Sequence, residues 1–282
     1  MTESAAAAAA GSEAGPRPVP AEPDACSAPV RVRFDEAGPD GLLRTSALLR
    51  YAQDLAWYHS ARRGFDRDWY RERGLTWLAR AAEVGVEAEI RVGDELTGTT
   101  RVVGWRRVWA RRRTEFVDAT GALVGWTHVD WVLLDARGAP TRIPVDFQPV
   151  FGAPDARFPL ARVPLSEPPP DAGHARITVR PQELDPMDHV NNAVYADWVE
   201  EQVIAAGGLA DVRVIPRLAR LEYARAAEAG ATVDAITWRH EAGWSCRIAD
   251  SAGTELLRAR LERPTVRDND EGRSSIGASA LG

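Results

Sequence analysis

The order of apolar and polar positions along the chain predicts the same succession of elements twice. A short segment of alternating residues begins at Arg31 and a similar one at Ala175, and such alternation is typical of a strand with one buried face. Each is followed by a loop, by an amphipathic helix and then by strand-like segments that turn residues separate. The pattern therefore indicates two units of similar architecture in one chain.

The helix of the first unit is predicted between Thr45 and Gly64. Thr45 is a suitable N-cap, because its hydroxyl can accept a hydrogen bond from a backbone N–H of the first turn. Gly64 supplies a C-terminal stop, since glycine enters the left-handed region at little cost. Helical spacing places four side chains on one face: Leu48, Ala52, Leu55 and His59.

The helix of the second unit is predicted to begin after Asn191 or Asn192, either of which can act as its N-cap. Gly207 and Gly208 mark its end. Its predicted face consists of Tyr195, Trp198, Val199 and Gln202. Strand, long helix and antiparallel meander, given twice, predict an α+β fold of the tandem (double) hot-dog type, in which antiparallel sheets wrap around long central helices.

A direct superposition of the two halves sets Gly38 against Asp185 and Leu42 against His189. The other matched pairs are Pro39 with Pro186, Tyr51 with Trp198, and Asp54 with Glu201. In this register Gly38 and Leu42 of the first unit occupy the positions at which the second unit has two titratable side chains. The register therefore predicts that the chemistry lies in the second unit.

Composition and proline content predict the boundaries of the two units. Residues 1–29 form a small, proline-dotted leader without enough large apolar side chains to fold. The first unit is expected at 30–145 and the second at 174–263, with a proline-rich linker at 146–173. Residues 264–282 read as a disordered tail.

The remaining composition narrows the class of protein. No stretch has the roughly 18 consecutive apolar residues of a membrane span, and the start lacks a secretory signal, so a cytoplasmic location is expected. A net charge of −6 argues against a general nucleic-acid binder, although all 35 basic residues are arginine. Cys26 in the leader and Cys246 in a strand-like segment predict neither a disulfide framework nor a metal site.

The segment around Asp185 and His189 is the best candidate for chemistry. It places a carboxylate, an imidazole and the carboxamides of Asn191 and Asn192 in the loop that leads into the second long helix. Free backbone N–H groups at a helix N-terminus can hold a developing oxyanion, and Asp and His can move protons. Taken singly, an Asp before proline, a capping Asn and a lone His each have ordinary structural uses, but here they occur together.

From about Val30 to Glu262 the chain resembles the plant and bacterial acyl-acyl-carrier-protein thioesterases, which are double hot-dog enzymes. The phrases VRFDEAGPDGLLRTSALLRYAQDLAWYH, RGLTWLARAAEV, GDELTGTTRV and ARRRTEFVDATGALV are similar to their first unit. DPMDHVNNAVYADWVEE and LEYARAA are similar to their catalytic unit, and the DPxxH-type loop also resembles the hydroxybenzoyl-coenzyme A thioesterases. The resemblance implies that Asp185 is the catalytic carboxylate.

Two departures from the family pattern affect this site. Met187 stands where the family has an Asn two residues before the His, and Ala226 and Ala227 stand where it has an acidic residue followed by Cys. Glu222 and Glu228 are close in sequence to the missing carboxylate, but sequence alone makes neither its replacement. The active site is therefore expected to be rebuilt or weakened.

The resemblance implies hydrolysis of an acyl thioester on acyl carrier protein or coenzyme A, within lipid metabolism and fatty acid biosynthesis. Asp185 would activate water or attack directly, His189 would orient that water or move the proton, and amides near Asn191 and Asn192 would hold the thioester oxygen. No cofactor or metal is expected. A fused pair of units is compatible with a monomer or a homodimer.

Two further features bear on substrate and partner. Strand alternation puts Arg107, Trp109, Arg111 and Arg113 on one face, which either docks an acidic carrier or pairs with nearby carboxylates. The first unit also contains four tryptophans that could form an acyl-binding wall or ordinary core: Trp77, Trp105, Trp126 and Trp131.

Two other functions remain open at this level. A catalytically silent acyl-binding or carrier-docking protein would explain the lost polar groups and would bind ligand without turnover. A hot-dog dehydratase or hydratase also acts on acyl thioesters with a His and a carboxylate. The residues around His189 fit that third function least.

Overall fold

Two long helices, α1 (Thr45–Arg62) and α4 (Asn192–Ala205), lie against one antiparallel sheet in the computed structural model, which describes residues 24–152, 160–240 and 243–264. The first unit contributes β1 (Cys26–Arg31), β2 (Thr76–Val86), β3 (Glu95–Arg106), β4 (Trp109–Val117) and β5 (Leu123–Leu134). The second contributes β6 (Gly173–Thr178), β7 (Arg217–Tyr223), β8 (Thr232–His240), β9 (Gly243–Asp250) and β10 (Glu255–Glu262). The shorter helices are α2 (Arg67–Glu72), α3 (Gln148–Phe151) and α5 (Leu209–Arg213).

The strands of the described residues run in the order β1-β3-β4-β5-β2-β7-β10-β9-β8-β6. The two units meet where β2 pairs with β7, and Ala81 lies opposite Glu222 in that register. Each unit thus supplies half of a continuous sheet and one helix, which confirms the predicted double hot-dog fold.

The loop before each long helix has the same backbone hydrogen bonds, which confirms the register of the duplication. The N–H of Gly38 donates to the carbonyl of Leu42 at 2.8 Å, and the N–H of Asp185 donates to the carbonyl of His189 at 2.8 Å. The short helices Phe34–Glu36 and Pro181–Glu183 precede these loops at matching positions.

The N-cap of helix α1 is one residue earlier than the sequence predicted. Its N-cap is Arg44, and Thr45 is a buried helical residue whose hydroxyl contacts Glu200 and Arg217 of the second unit. The predicted N-cap role of Thr45 is therefore wrong, because a partner in the other unit takes its hydroxyl. The predicted end is confirmed, since Gly64 follows the helix with φ of 89°.

The two long helices are also joined to each other by polar contacts. Arg50 of α1 donates to the carboxylate of Asp197 in α4 at 2.6 Å. At the β2–β7 junction Arg220 donates to Glu83 at 3.1 Å. These contacts, together with one apolar cluster that contains residues of both units, fix the units as one body.

The ends of the first unit differ from the predicted boundaries. Strand β1 extends the unit back to Cys26, which is 7% exposed and pairs with Thr100 of β3, so residues 26–29 do not belong to a leader. These residues lack large apolar side chains, and their backbone pairing with β3 holds them in the fold. Residues 1–23 lie outside the described residues.

The predicted linker is tied to both units where it is described. At its start, Phe147 and Phe151 are buried in an aromatic cluster of the first unit with Phe65 and Tyr70. Farther on, Val163 is buried and its N–H donates to Glu222 of the second unit at 2.9 Å. Residues 153–159 and most of the predicted tail, from 265 onward, lie outside the described residues.

Candidate active site

A cavity of about 1280 Å³ extends from the Asp185–His189 loop into the first unit. Its wall at the loop includes Asp185, Met187 and His189. Its interior is lined mostly by apolar and aromatic side chains of the first unit, among them Trp77, Trp105, Trp131, Ile143, Phe147 and Phe151. A large apolar cavity with a few polar groups at one end is the usual form of a site for an apolar ligand.

Asp185 holds its own loop with one carboxylate oxygen. Its Oδ1 accepts the backbone N–H of Met187 at 2.8 Å and that of His189 at 3.4 Å. Within the described part of the chain no group donates to Oδ2. Since Asp185 also lines the cavity, Oδ2 is available to a water molecule or a substrate.

The turn brings His189 to the same side of the cavity as Asp185. Asp188, between them, has φ of 60°, a left-handed conformation that Asp tolerates better than most residues. The imidazole of His189 is exposed, and no side chain or backbone group of the described residues hydrogen-bonds to it. The structure thus brings together the predicted carboxylate and imidazole and leaves both accessible.

The two asparagines have different positions. Asn191 is the N-cap of α4, its Oδ1 accepts the N–H of Ala193 at 2.9 Å, and its Nδ2 donates to Gln53 of α1 at 3.4 Å. Asn192 lines the cavity, and its carbonyl accepts the hydroxyl of Tyr223 at 3.0 Å. The predicted capping role of Asn191 is confirmed.

The first turn of α4 presents a backbone donor at the cavity. The N–H of Asn192 has no acceptor among the described residues, whereas that of Ala193 is taken by the cap. Burial raises the pKa of Tyr223, so its phenol stays neutral and keeps its hydrogen bond to Asn192. A free N–H in the first turn of a helix is the kind of donor that stabilises a carbonyl oxygen with developing charge.

Two of the three positions that depart from the family pattern line the same cavity. Met187 is 41% exposed, and its sulfur accepts the hydroxyl of Thr76 at 3.0 Å. Ala226 lines the cavity, while Ala227 is buried and its N–H donates to Tyr195 at 2.8 Å. The wall beside Asp185 therefore has a thioether and a methyl group where the family pattern has polar groups.

Neither nearby glutamate replaces the missing carboxylate. Glu222 accepts hydrogen bonds from Arg162 at 2.5 Å and from the N–H of Val163, so its carboxylate holds the segment around these two residues. Glu228 is exposed and does not line the cavity.

Arg80 is a polar residue of this wall that the sequence alone did not identify. It lies at an irregularity of β2, between Ala79 and Ala81, and such bulges often aim a side chain into a site. Its guanidinium donates to the carbonyl of Ala224 at 2.5 Å, and burial lowers its pKa. Among the described residues no carboxylate lies within ion-pair distance of it. The sequence feature that could have identified Arg80 is a single arginine within the largely apolar segment LTWLARAAEV.

The arginine strip on β4 is paired with carboxylates. Arg111 donates two hydrogen bonds to Asp130, at 2.6 and 2.8 Å, and Arg113 donates to Glu115 at 2.7 Å. Arg113 is only 3% exposed and lies over the ring of Trp126. These contacts favour the alternative in which the strip stabilises the fold.

Three of the four first-unit tryptophans line the cavity, and Trp126 instead donates to Glu87 at 2.8 Å.

Both cysteines are buried and free. No group of three or more His, Cys, Asp or Glu side chains that could hold a metal occurs in the described ranges. No described helix is long and apolar enough to cross a membrane.

Comparison with known families matches both halves of the chain. Residues 26–148 match the acyl-ACP thioesterase N-terminal domain, and residues 167–262 match the acyl-ACP thioesterase C-terminal domain. A Cinnamomum camphora protein named as a chloroplastic dodecanoyl-[acyl-carrier-protein] hydrolase is 25% identical, over 88% of this chain and 70% of its own.

Solved structures show the same fold at low sequence identity. A structure from Lactobacillus plantarum has a TM-score of 0.76 at 19% identity, over 86% of this chain and 97% of its own. A 12:0-ACP thioesterase from Umbellularia californica has a TM-score of 0.70 at 23% identity, over 87% of this chain and 99% of its own.

Proposed function

This chain belongs to the acyl-ACP thioesterase family and is a thioester hydrolase, and we propose that its reaction takes place at the Asp185–His189 loop. In this proposal the acyl chain lies in the first-unit cavity and the thioester carbonyl lies beside the first turn of α4. The observation that carries the proposal is the single cavity that joins the accessible Asp185 and His189 to an apolar interior.

Asp185 is proposed as the general base. Its Oδ1 is held by two backbone N–H groups, which fixes the carboxylate, and Oδ2 accepts no hydrogen bond from the described residues. From Oδ2 it removes a proton from water as the water oxygen attacks the carbonyl carbon. Direct attack by the carboxylate would instead form an anhydride that water then opens. Both routes end in a free acid and a free thiol.

His189 is proposed to move protons at the same carbonyl. Its exposed imidazole, which has no hydrogen-bond partner in the described part of the chain, can orient the water or give a proton to the leaving thiolate. The backbone N–H of Asn192 would hold the carbonyl oxygen as it gains negative charge. Asn191 supports this arrangement by capping α4 and contacting Gln53.

Arg80 is proposed to supply positive charge where the family pattern has other polar groups. Arg80 lines the cavity, and its only hydrogen bond among the described residues is to Ala224, so its guanidinium has further donors without a partner there. A cation beside a developing oxyanion lowers the barrier to attack on the carbonyl. Arg80 would thus compensate in part for Met187 and Ala226.

The thioester is proposed to be carried by acyl carrier protein, as in the names of the relatives, with coenzyme A as the alternative carrier. Exposed arginines of the cavity wall that have no ion pair among the described residues suit the phosphate that links either carrier's arm: Arg31, Arg67 and Arg225. Cytoplasmic location, a role in fatty acid biosynthesis and a monomeric or homodimeric state stay predictions.

One observation favours a second candidate, an acyl-binding protein without turnover. Met187 and Ala226 place apolar groups in the wall beside Asp185. The two candidates differ in whether free thiol is released from a bound acyl thioester.

The experiment that tests the mechanism compares His189→Gln with His174→Gln, a change at an exposed histidine of β6 that does not line the cavity. Thiol release would be followed on acyl thioesters of both carriers. We expect His189→Gln to lower kcat by on the order of a hundredfold and His174→Gln to leave it unchanged. Equal rates for the two variants would remove His189 from the mechanism.

A further inference from the structure

The cavity contains a buried arginine at its inner part, Arg112 on β4. Arg112 is 9% exposed and lines the cavity. Its one hydrogen bond among the described residues joins Nη1 to Nδ1 of His59 at 2.8 Å, and no carboxylate in that part of the chain pairs with it. Its neighbours Arg111 and Arg113 each have a carboxylate partner, so Arg112 alone of the three lacks one.

His59 orients Arg112 but does not neutralise it. A guanidinium can only donate, so Nδ1 of His59 must accept and the ring proton lies on Nε2. Burial and the nearby arginines lower the pKa of His59 to about 4, so the ring is neutral at neutral pH. Burial lowers the pKa of Arg112 to about 10, so its charge is retained there.

A second donor without an acceptor lies on the same wall. Nε1 of Trp131 is buried, has no hydrogen-bond partner in the described ranges, and belongs to a residue that lines the cavity. Trp131 pairs with Ala110, and Val129 pairs with Arg112, so Trp131 and Arg112 are diagonal neighbours on β5 and β4. Diagonal neighbours are roughly 7–8 Å apart at Cα, within reach of long side chains.

Arg112 lies well away from the reacting loop. Asn191 contacts Gln53 of α1, so the N-terminus of α4 lies beside that residue of α1. His59, which holds Arg112, is farther along α1 by a distance on the order of 9 Å, at 1.5 Å per residue. A group on the substrate that meets Arg112 is therefore remote from the thioester carbonyl.

An unpaired buried cation and an unpaired buried N–H are each costly, and a purely hydrocarbon chain gives neither of them an acceptor. We propose that the preferred acyl group carries an oxygen acceptor, best a carboxylate, toward its far end, and that Arg112 and Trp131 bind it. This inference rests on the proposed function, in which the cavity holds the acyl chain. Arg112 and Trp131 are then specificity-determining residues for an oxygenated acyl chain.

The test measures binding of acyl N-methylamides to the full chain by calorimetry, independently of hydrolysis. The ligands are the N-methylamides of octanoic, decanoic and dodecanoic acid, which have no charged end, with the ω-hydroxy amide and the ω-carboxy amide of each length. At one length or more, we expect the oxygenated amide to bind about tenfold or more tightly than its plain counterpart, as for a hydrogen bond to a charged group.

Variants show whether the two donors cause that preference. Arg112→Met should abolish it, and Trp131→Phe, which removes the indole N–H and keeps a smaller aromatic ring, should reduce it. Trp126→Phe is the matched control, because Trp126 does not line the cavity, and it should retain the full preference. Unfolding temperatures would establish that each variant is folded.

The possible failures are distinguishable. If plain amides bind as tightly as oxygenated ones at every length, water molecules satisfy the two donors and the inference is wrong while the proposed function stands. The inference is also wrong, with the proposed function intact, if the preference survives in both Arg112→Met and Trp131→Phe. If no amide of any class binds, the cavity does not hold an acyl chain, and the inference fails with the substrate position on which it rests.

Discussion

Oδ1 of Asp185 accepts the backbone N–H of Met187 at 2.8 Å, so this carboxylate is part of the loop that it serves. The matching loop of the first unit has Gly38 at the same position and closes with the same backbone bond, to Leu42. The first loop therefore closes without a carboxylate at position 38, and its Asp40 accepts the N–H of Leu42 at 3.2 Å instead. The carboxylate at the position of Asp185, beside the cavity, is a feature of the second unit alone.

Arg80→Met should lower kcat by on the order of a hundredfold if Arg80 stabilises charge at the carbonyl oxygen. Arg80→Lys should recover part of that loss, because it restores the charge without the planar donor set. Steady-state kinetics would separate kcat from KM, and an unfolding temperature near that of the parent would exclude a structural cause. Arg176→Met, on the exposed face of β6, is the control, and an equal loss there would refute the assignment.

The pKa of His59, lowered to about 4, predicts that acid destabilises the protein. The unfolded chain binds a proton at this residue near pH 6.5 and the folded protein only near pH 4, so the stability that depends on neutral His59 is present above 6.5. It is lost as the pH falls from about 6.5 to about 4. Its size should be roughly 1 to 3 kcal/mol.

Urea unfolding of the parent and of His59→Gln between pH 7 and pH 4 measures this contribution. Glutamine does not titrate and its carbonyl can still accept from Arg112, so the variant should lose less stability on acidification. His174→Gln, at an exposed position, should behave like the parent. Parallel curves for parent and His59→Gln would show that His59 is not the titrating group.

Arg111→Met should destabilise the fold and leave carrier recognition unchanged. Arg111 makes a bidentate ion pair with Asp130, which is 3% exposed. Removal of one partner of a buried pair lowers the free energy of unfolding by about 3–5 kcal/mol. The salt dependence of KM for acyl carrier protein thioesters should match that of the parent. Arg142→Met, at an exposed position, is the control for stability, and a flattened salt dependence in Arg111→Met would restore the docking hypothesis.

The sequence predicted the double hot-dog fold well, because each unit carries complete local signals for its strands and helix. The match of Tyr51 with Trp198 is confirmed by their equivalent hydrogen bonds, to Glu36 and to Glu183. Thr45 was assigned wrongly because its hydroxyl is bound by the other unit, and no local pattern contains that contact. The opening strand was predicted to begin at Arg31 but spans Cys26–Arg31, because residues 26–29 lack the apolar alternation by which a strand is recognised in sequence.

The candidate site was predictable only in its loop. Asp185, His189 and the capping Asn191 lie within a few residues of one another, so their proximity follows from the chain itself. Arg80 and Arg112 reach the cavity through the pairing of distant strands, β2 with β7 and β4 with β5. The sequence shows that these residues are charged, but it does not show which arginines have a carboxylate partner in the fold.

The most direct test of the account is the release of free thiol from acyl thioesters of acyl carrier protein and coenzyme A by the parent and by Asp185→Asn. Asparagine keeps an oxygen for the N–H of Met187, so the loop should persist while the base is lost. We predict turnover by the parent, a loss of at least about a hundredfold in Asp185→Asn, and parent-like turnover in the neighbouring Asp188→Asn. Equal turnover by the parent and Asp185→Asn would contradict the account.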